Sequence, residues 1–277
     1  MFTKERFISE VPKAEIFICN KSLIECLISL NLSNRNVRHS HVEYLKRNII
    51  NGTYYITNNG IGINRNGEVI DGQHRLYALR DCGYPQIQLL IVYGLPEESL
   101  SAIDLGIMRT MKDIFRLAFD RPEANNQMMA AVRFYLSINR NDKIKKSSRP
   151  SPYEMMDAYI YLYPAFEIIY KIKNLSKLPS SVLTAFAIRI INDLDDERPL
   201  EFLKGLLSGI NLEANSPILR LRNFLESSKR QGGGGNVQRE RFQRTASALT
   251  AYLENRTLSK LYASSDPTVL LNRNIKK

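Results

Sequence analysis

The sequence has few of the residues and runs that mark secreted, metal-binding and membrane proteins. It has three cysteines among 277 residues, none in a CxxC pair, and only three histidines. This composition argues against a disulfide framework or a structural zinc site. No run of about 18 apolar residues is present, which excludes a membrane span. The opening residues, MFTKERFISEVPK, lack the apolar stretch of a secretion signal, so we expect a protein of a reducing cytoplasm.

What the chain has in excess is positive charge, and the excess lies in its second part. The formal net charge is +11 at pH 7. Residues 1–120 carry 14 basic and 13 acidic groups, whereas residues 121–277 carry 25 and 15. A basic half beside a balanced half predicts a polyanionic partner, in the first place nucleic acid. The alternative is a cationic surface that serves solubility alone.

Local patterns in the first part of the chain indicate short strands, turns and two helices. Thr53–Asn64 mixes β-forming residues with an Asn-Asn-Gly turn signal, and a short strand follows at residues 68–70. Gln86–Tyr93 (QIQLLIVY) is the most strand-like run and predicts a central strand. Helices are expected over Val42–Ile50 and Gln73–Cys82.

Beyond Pro96 the patterns are helical. The expected helices, several of which begin at or beside proline, are Glu97–Asp104, Met111–Ala118, Ala124–Ile138, Pro152–Tyr163, Pro164–Ile172, Ser180–Asp193, Pro199–Gly209, Pro217–Ser228 and Gln238–Asn255. Lys229–Asn236 contains four consecutive glycines, so no regular structure is expected there. We therefore predict an α+β chain in three parts: an extension over residues 1–29, a small mixed sheet with helices over 30–120, and a basic all-helical domain over 121–277 with a Gly-rich loop at 229–236.

The sharpest local feature is the segment Glu68–Leu79 (EVIDGQHRLYAL). A strand ends, Asp71-Gly72 makes a turn, and a helix begins with Gln73, His74 and Arg75 in its first turn. Main-chain N–H groups at a helix N-terminus lack partners within the helix and lie at the positive end of its dipole. With an arginine beside them they form an anion pocket, most naturally for phosphate. The alternative is an ordinary glycine turn with an incidental arginine.

The string DGQHR and the hairpin before it resemble the signature of the ParB/sulfiredoxin-like superfamily. Asn34-Arg35 and the helix ending at Gly52 resemble the family's upstream element. Ile103–Gly106 with Arg109-Thr110 and Asp113 resembles its downstream element, so the likeness covers about residues 30–117. Arg241–Leu261 and Pro217–Leu225 resemble segments of phage or mobile-element proteins that have a ParB-like front and a helical back.

The resemblance implies nucleotide or phosphate binding at the DGQHR turn. The family includes DNA-partition clamps that hydrolyse CTP, a serine kinase, the enzyme that repairs overoxidised peroxiredoxin, and proteins attached to DNA-modification systems. Gln73 stands where the repair enzyme needs cysteine and where the clamps carry an acid. These departures argue strongly against peroxiredoxin repair and weaken the case for CTP hydrolysis.

Candidate residues follow from the turn and the resemblance. The catalytic candidates are Asp71, His74 and Arg75; the phosphate- or cofactor-binding candidates are Gly72, Gln73, Arg75, Asp104, Arg109, Thr110, Asn34 and Arg35, with Arg38 approaching from the upstream side. Arg75 is expected to bind phosphate, or else to pair with Asp71. His74 either donates to phosphate or organises the turn. Asp104 and Arg109 form a second wall of the pocket, or else a structural ion pair.

Basic residues of the second half form two groups that suit a phosphate backbone. The nucleic-acid candidates are Lys143, Lys145, Lys146 and Arg149 in one loop, and Lys229, Arg230, Arg239, Arg241 and Arg244 around the glycines. A disordered surface loop is the alternative for the glycine arm. The sequence does not distinguish DNA from RNA.

Our leading expectation is a DNA-associated accessory protein that couples nucleotide or phosphate binding to DNA modification, processing or regulation. One rival is an NTPase or phosphotransferase that uses CTP or ATP with Mg²⁺. The other is a non-catalytic phage regulator or inhibitor that binds a host protein. The expected partners are nucleic acid, in the first place DNA, and nucleotide, in the cytoplasm or, for a viral protein, the host cytoplasm. We expect no membrane association and no metal site built from protein side chains. A homodimer is an open alternative.

Overall fold

The computed structural model describes residues 2–32, 34–103, 109–139, 149–228, 232 and 234–272. The chain is α+β and mostly helical, and it divides into two compact units. The first unit comprises Met1–Met108 with Ile144–Ser151, and the second comprises Arg109–Lys143 with Pro152–Lys277. The boundary predicted at residue 120 falls twelve residues after this one. No helix among the described residues is long and apolar enough to cross a bilayer.

Along the described chain, the first unit contains one four-stranded sheet, four α-helices and a 3-10 helix over Lys4–Phe7. Its elements are β1 (Lys13–Ile18), α1 (Lys21–Ser29), α2 (His39–Ile50), β2 (Ile61–Asn64), β3 (Val69–Asp71), α3 (Gln73–Asp81), β4 (Gln88–Leu95) and α4 (Ser99–Ala102). The strand order is β1-β4-β2-β3. β4 pairs antiparallel with β1 and parallel with β2, and β2 forms an antiparallel hairpin with β3.

The central position predicted for the QIQLLIVY strand is observed in β4. Its side chains alternate in burial, with Leu89, Ile91 and Tyr93 in the core. Alternation of this kind is what a strand with one covered face requires. A helical connection through α3 leads from the hairpin into β4, as a parallel pair demands.

Residues 1–29 differ from the separate extension predicted for them, because they complete the sheet and the core. β1 pairs along its length with β4, from Lys13 opposite Tyr93 to Ile18 opposite Gln88. The helix α1 places Leu23, Ile24 and Leu27 in the same core as the strands. The prediction missed this because β1 meets its partner about 70 residues further on, and such pairing leaves no local signal.

Strand structure expected over Thr53–Asn64 is observed only from Ile61 onward. Residues 53–60 run without helix or strand. Their carbonyl groups at Asn59 and Gly60 accept hydrogen bonds from Arg75 rather than from a neighbouring strand. Hydrogen bonds from the Arg75 side chain therefore take the place of the strand-to-strand hydrogen bonds that the β-forming residues predicted.

Every regular element described in the second unit is a helix. Its α-helices are α5 (Met111–Ala118), α6 (Asn126–Asn139), α7 (Pro152–Ile169), α8 (Ser180–Asn192), α9 (Arg198–Ser208), α10 (Pro217–Ser228), α11 (Gly235–Leu253) and α12 (Pro267–Asn272). α7 runs through Pro164, where two helices were predicted. Leu162 before the proline and Phe166 after it are both fully buried in one core, and this packing offsets the lost main-chain hydrogen bond.

Candidate functional site

The DGQHR segment forms a strand, a tight turn and a helix. β3 ends at Asp71, and α3 begins at Gln73. Gly72 between them has φ 94° and ψ 6°, a left-handed conformation that favours glycine. A Cβ atom at this position would lie 2.5 Å from Cδ1 of Ile61, so the turn has no room for a side chain. The sequence places the turn correctly because Asp-Gly is a strong local signal.

The Arg75 side chain forms hydrogen bonds within the protein. Its Nη2 donates to the Gly60 carbonyl at 2.7 Å and to Oδ2 of Asp71 at 3.0 Å, and its Nη1 donates to the Asn59 carbonyl. The side chain is only 18% exposed. A small cavity lined by Tyr54, Asn59 and Arg75 has a volume of about 10 Å³, which is too small for a phosphate. The geometry therefore assigns Arg75 to the alternative of pairing with Asp71 and holding the 53–60 segment, in place of the expected phosphate contact.

Gln73 and His74 hold the segment that precedes α2. Nε2 of the buried Gln73 donates to the Arg35 carbonyl at 2.9 Å, and the Arg38 main-chain N–H donates to Nε2 of the buried His74 at 3.0 Å. On the same segment, Nδ2 of Asn34 donates to the Val69 carbonyl at 2.6 Å. The polar side chains of the signature therefore organise a neighbouring loop, and His74 must be unprotonated at Nε2 to accept its bond.

The loop held in this way carries Arg35 and Arg38 to the surface, and Arg149 comes from a separate segment of the same unit. Arg35, Arg38 and Arg149 are exposed, and none forms an ion pair with a carboxylate among the described residues. The carbonyl of Arg149 accepts from Nη2 of Arg47 at 2.7 Å, which fixes its main chain beside α2. We call Arg35, Arg38 and Arg149, together with His41, the cationic cluster. It presents donors for a negatively charged partner, and Asp71, the acid that acts on His74 from nearby, already pairs with Arg75.

The positive charge of this cluster lowers the pKa of two histidines, His41 and His74. The rings of His41 and His74 lie edge to face, 5.1 Å apart. Burial lowers the pKa of His74, and His41, Arg35 and Arg38 lower it further. Burial also lowers the pKa of His41, with further lowering by Arg35, Arg149 and Arg38. The repulsion means that an anion bound here would offset an electrostatic cost already present in the protein.

Two predicted binding residues, Arg109 and Thr110, do not belong to the first unit but to the second. Thr110 caps α5: its Oγ1 accepts from the Asp113 N–H at 3.2 Å, while Oδ2 of Asp113 accepts from the Thr110 N–H at 2.9 Å. This is a capping box, a structural use of both residues. Asp104 lies outside the described residues.

The predicted nucleic-acid residues are partly corrected. Arg241 is only 6% exposed, and it donates to Oγ and the carbonyl of Ser228, so its burial removes it from a surface role. Arg244 pairs with Glu240 at 2.9 Å and stacks over Phe224. Arg239 is exposed on α11. The remaining candidates, Lys143, Lys145, Lys146, Lys229 and Arg230, lie outside the described residues.

The carboxylate of the turn is engaged by a neighbouring arginine. No group of three His, Cys, Asp or Glu side chains that could hold an ion occurs among the described residues. Asp71, the candidate acid of the turn, already accepts from Arg75.

Sequence reasoning missed the participation of His41 and grouped Arg149 with a different loop. Both reach the cluster through contacts distant in the chain: 33 residues separate His41 from His74, and 102 separate Arg47 from Arg149. The sequence offers no local signal for such juxtapositions. Comparison of the chain with protein-family models, curated proteins and solved structures gives no match, so its function rests on the chemistry of this site.

Proposed function

We propose that the chain is a nucleic-acid-associated protein that contacts backbone phosphates through the cationic cluster, Arg35, Arg38, Arg149 and His41. The observation that supports this proposal is a set of exposed arginines around His41 that have no carboxylate partner among the described residues. Arg35 and Arg38 lie on the loop held by Gln73 and His74, and Arg149 is held beside α2 by Arg47. The ParB-like resemblance favours DNA as the partner. An accessory role in DNA modification, processing or regulation follows from that resemblance.

The surface character of the cluster favours a polymer backbone over a single enclosed nucleotide. Its guanidinium groups are carried on an exposed loop, and the cavity behind Arg75 holds about 10 Å³. Small-molecule sites are usually clefts of about 300–1,000 Å³. Phosphate contacts, in contrast, need only exposed donors at suitable spacing and carry no base information. We therefore propose binding that tolerates different sequences.

Fluorescence anisotropy of the full chain with a labelled duplex tests the proposal. Arg35→Gln combined with Arg38→Gln should weaken duplex binding by at least about tenfold, because two charge-assisted contacts are lost. Arg65→Gln combined with Arg80→Gln is the control of equal charge, since it removes two exposed arginines of the same unit that are not part of the cationic cluster; Arg80 pairs with Asp81. Equal affinity of both double variants would refute the proposed surface.

The same titration separates the proposal from its rivals. Unlabelled DNA and RNA of the same sequence, added as competitors, identify the preferred polymer. CTP and ATP, each with Mg²⁺, should compete weakly, and phosphate release should stay at the level of buffer. Nucleotide hydrolysis that Arg35→Gln abolishes would instead establish an enzyme and overturn the binding-only account.

A further inference from the structure

A second feature lies wholly within the helical unit, as a cavity of about 420 Å³. Among the described residues, its walls come from the segment before α8, the end of α9, the second half of α10, Gly232 and the first half of α11. Leu178, Leu206 and Leu225 line it and are 4–9% exposed, and the half-buried Leu207 completes the apolar part. The volume falls within the range of small-molecule sites, about 300–1,000 Å³.

The polar part of the wall is cationic. Lys177, Arg222 and Arg241 line the cavity, against one carboxylate, Glu226. Nη1 of Arg222 donates to the Leu206 carbonyl at 2.6 Å, which fixes the guanidinium at the end of α9. The net charge of the lining therefore favours an anion.

The most informative group of the wall is Arg241, because it is buried and lacks a counter-charge. It is 6% exposed, and its hydrogen bonds go to the hydroxyl and the carbonyl of Ser228, both neutral. No carboxylate pairs with it among the described residues. A buried cation is costly unless an opposite charge compensates it. An adjoining cavity with an apolar wall offers a place for that opposite charge.

We propose that this cavity binds a small organic anion, with a carboxylate or phosphate headgroup toward Arg241, Arg222 and Lys177 and an apolar body against the leucines. Planar guanidinium groups match both headgroups, and the leucines exclude a purely hydrophilic ion. The site is independent of the cationic cluster, since every lining residue belongs to the second unit.

Isothermal titration of the full chain tests this assignment with four probes: octanoate, octyl phosphate, octylamine and inorganic phosphate. Octanoate or octyl phosphate should bind, and the tighter of the two identifies the headgroup. Octylamine and inorganic phosphate should bind at least about tenfold more weakly, because each lacks one half of the required chemistry. Equal binding of octylamine or of inorganic phosphate, or no binding of either octyl anion, would overturn the assignment.

Two variants locate the binding within the cavity. Lys177→Gln, at an exposed position, should weaken binding of the octyl anion by about twofold to fivefold, which is about what one exposed ion pair contributes. Lys173→Gln, on the same segment but outside the lining, is its matched control and should leave binding unchanged. Leu207→Phe, which places a larger side chain in the apolar wall of the cavity, should weaken binding by about tenfold or more. Wild-type affinity in both Lys177→Gln and Leu207→Phe would refute the location. Arg35→Gln with Arg38→Gln should retain octyl-anion binding, which separates this proposal from the first.

Discussion

Replacing Arg75 by glutamine discriminates between a structural and a ligand-binding arginine in the DGQHR signature. The side chain donates to Asn59, Gly60 and Asp71 and is 18% exposed. A hydrogen bond made by a charged group contributes about 1.5–3 kcal/mol. Because the site is partly solvated and glutamine keeps one donor, we expect a total loss of about 2–4 kcal/mol in the free energy of unfolding of the first unit.

Amide hydrogen exchange resolved by segment is the assay, because a chain with two units need not unfold in one transition. Protection in β2 and in the first turn of α3, the hydrogen-bonded elements on either side of the Arg75 contacts, should fall most in Arg75→Gln, whereas duplex affinity of the folded variant should stay within about twofold of wild type. Arg38→Gln should behave in the opposite way. Its guanidinium makes no hydrogen bond to the described residues, so stability should change by no more than about 0.5 kcal/mol while affinity falls. A tenfold loss of affinity in Arg75→Gln without loss of protection would refute this assignment.

Three further predictions concern stability. Burial and the neighbouring cations lower the pKa of His74 and His41, so the unfolded state binds more protons than the folded state as pH drops below the ordinary histidine pKa of 6.5. The free energy of unfolding of the first unit should therefore decrease as pH drops through that range, and it should decrease less in His74→Gln. Urea unfolding at several pH values measures both trends. Thr110→Ala should cost about 1 kcal/mol through loss of the α5 cap, with Thr110→Ser near wild type in thermal denaturation. Asp196→Asn should cost about 3–5 kcal/mol, because Arg189 and Arg198 lose their buried counter-charge; calorimetry in which the melting temperature of Asp196→Asn equals that of wild type would contradict this.

Elements with strong local signals could be predicted from the sequence. Met111–Ala118 and Pro217–Ser228 have the predicted bounds, and α3 begins at the predicted residue. Threonine and proline mark their starts, and Asp71-Gly72 marks the turn. These signals act over a few residues, so no knowledge of the tertiary structure is needed.

The site itself depends on contacts that the sequence does not encode locally. Whether Arg75 points to solvent or to Asn59 is decided by the path of residues 53–60. Gln73 and His74 reach main-chain atoms 38 and 36 residues away. Arg241 illustrates the same limit in the second unit. Its basic segment predicted an exposed side chain, but Arg241 is buried and donates to Ser228. The sequence could therefore nominate candidate residues, while the contacts that each side chain makes could not be predicted.

The salt dependence of duplex binding measures most directly how many phosphates the loop neutralises. For each phosphate contact, the slope of log K against log salt concentration changes by about 0.9. Arg35→Gln combined with Arg38→Gln should therefore reduce the magnitude of the slope by about 1.8, while Arg65→Gln combined with Arg80→Gln should leave it as in the wild type. Equal slopes for the wild type and both double variants would show that the loop arginines do not contact phosphate.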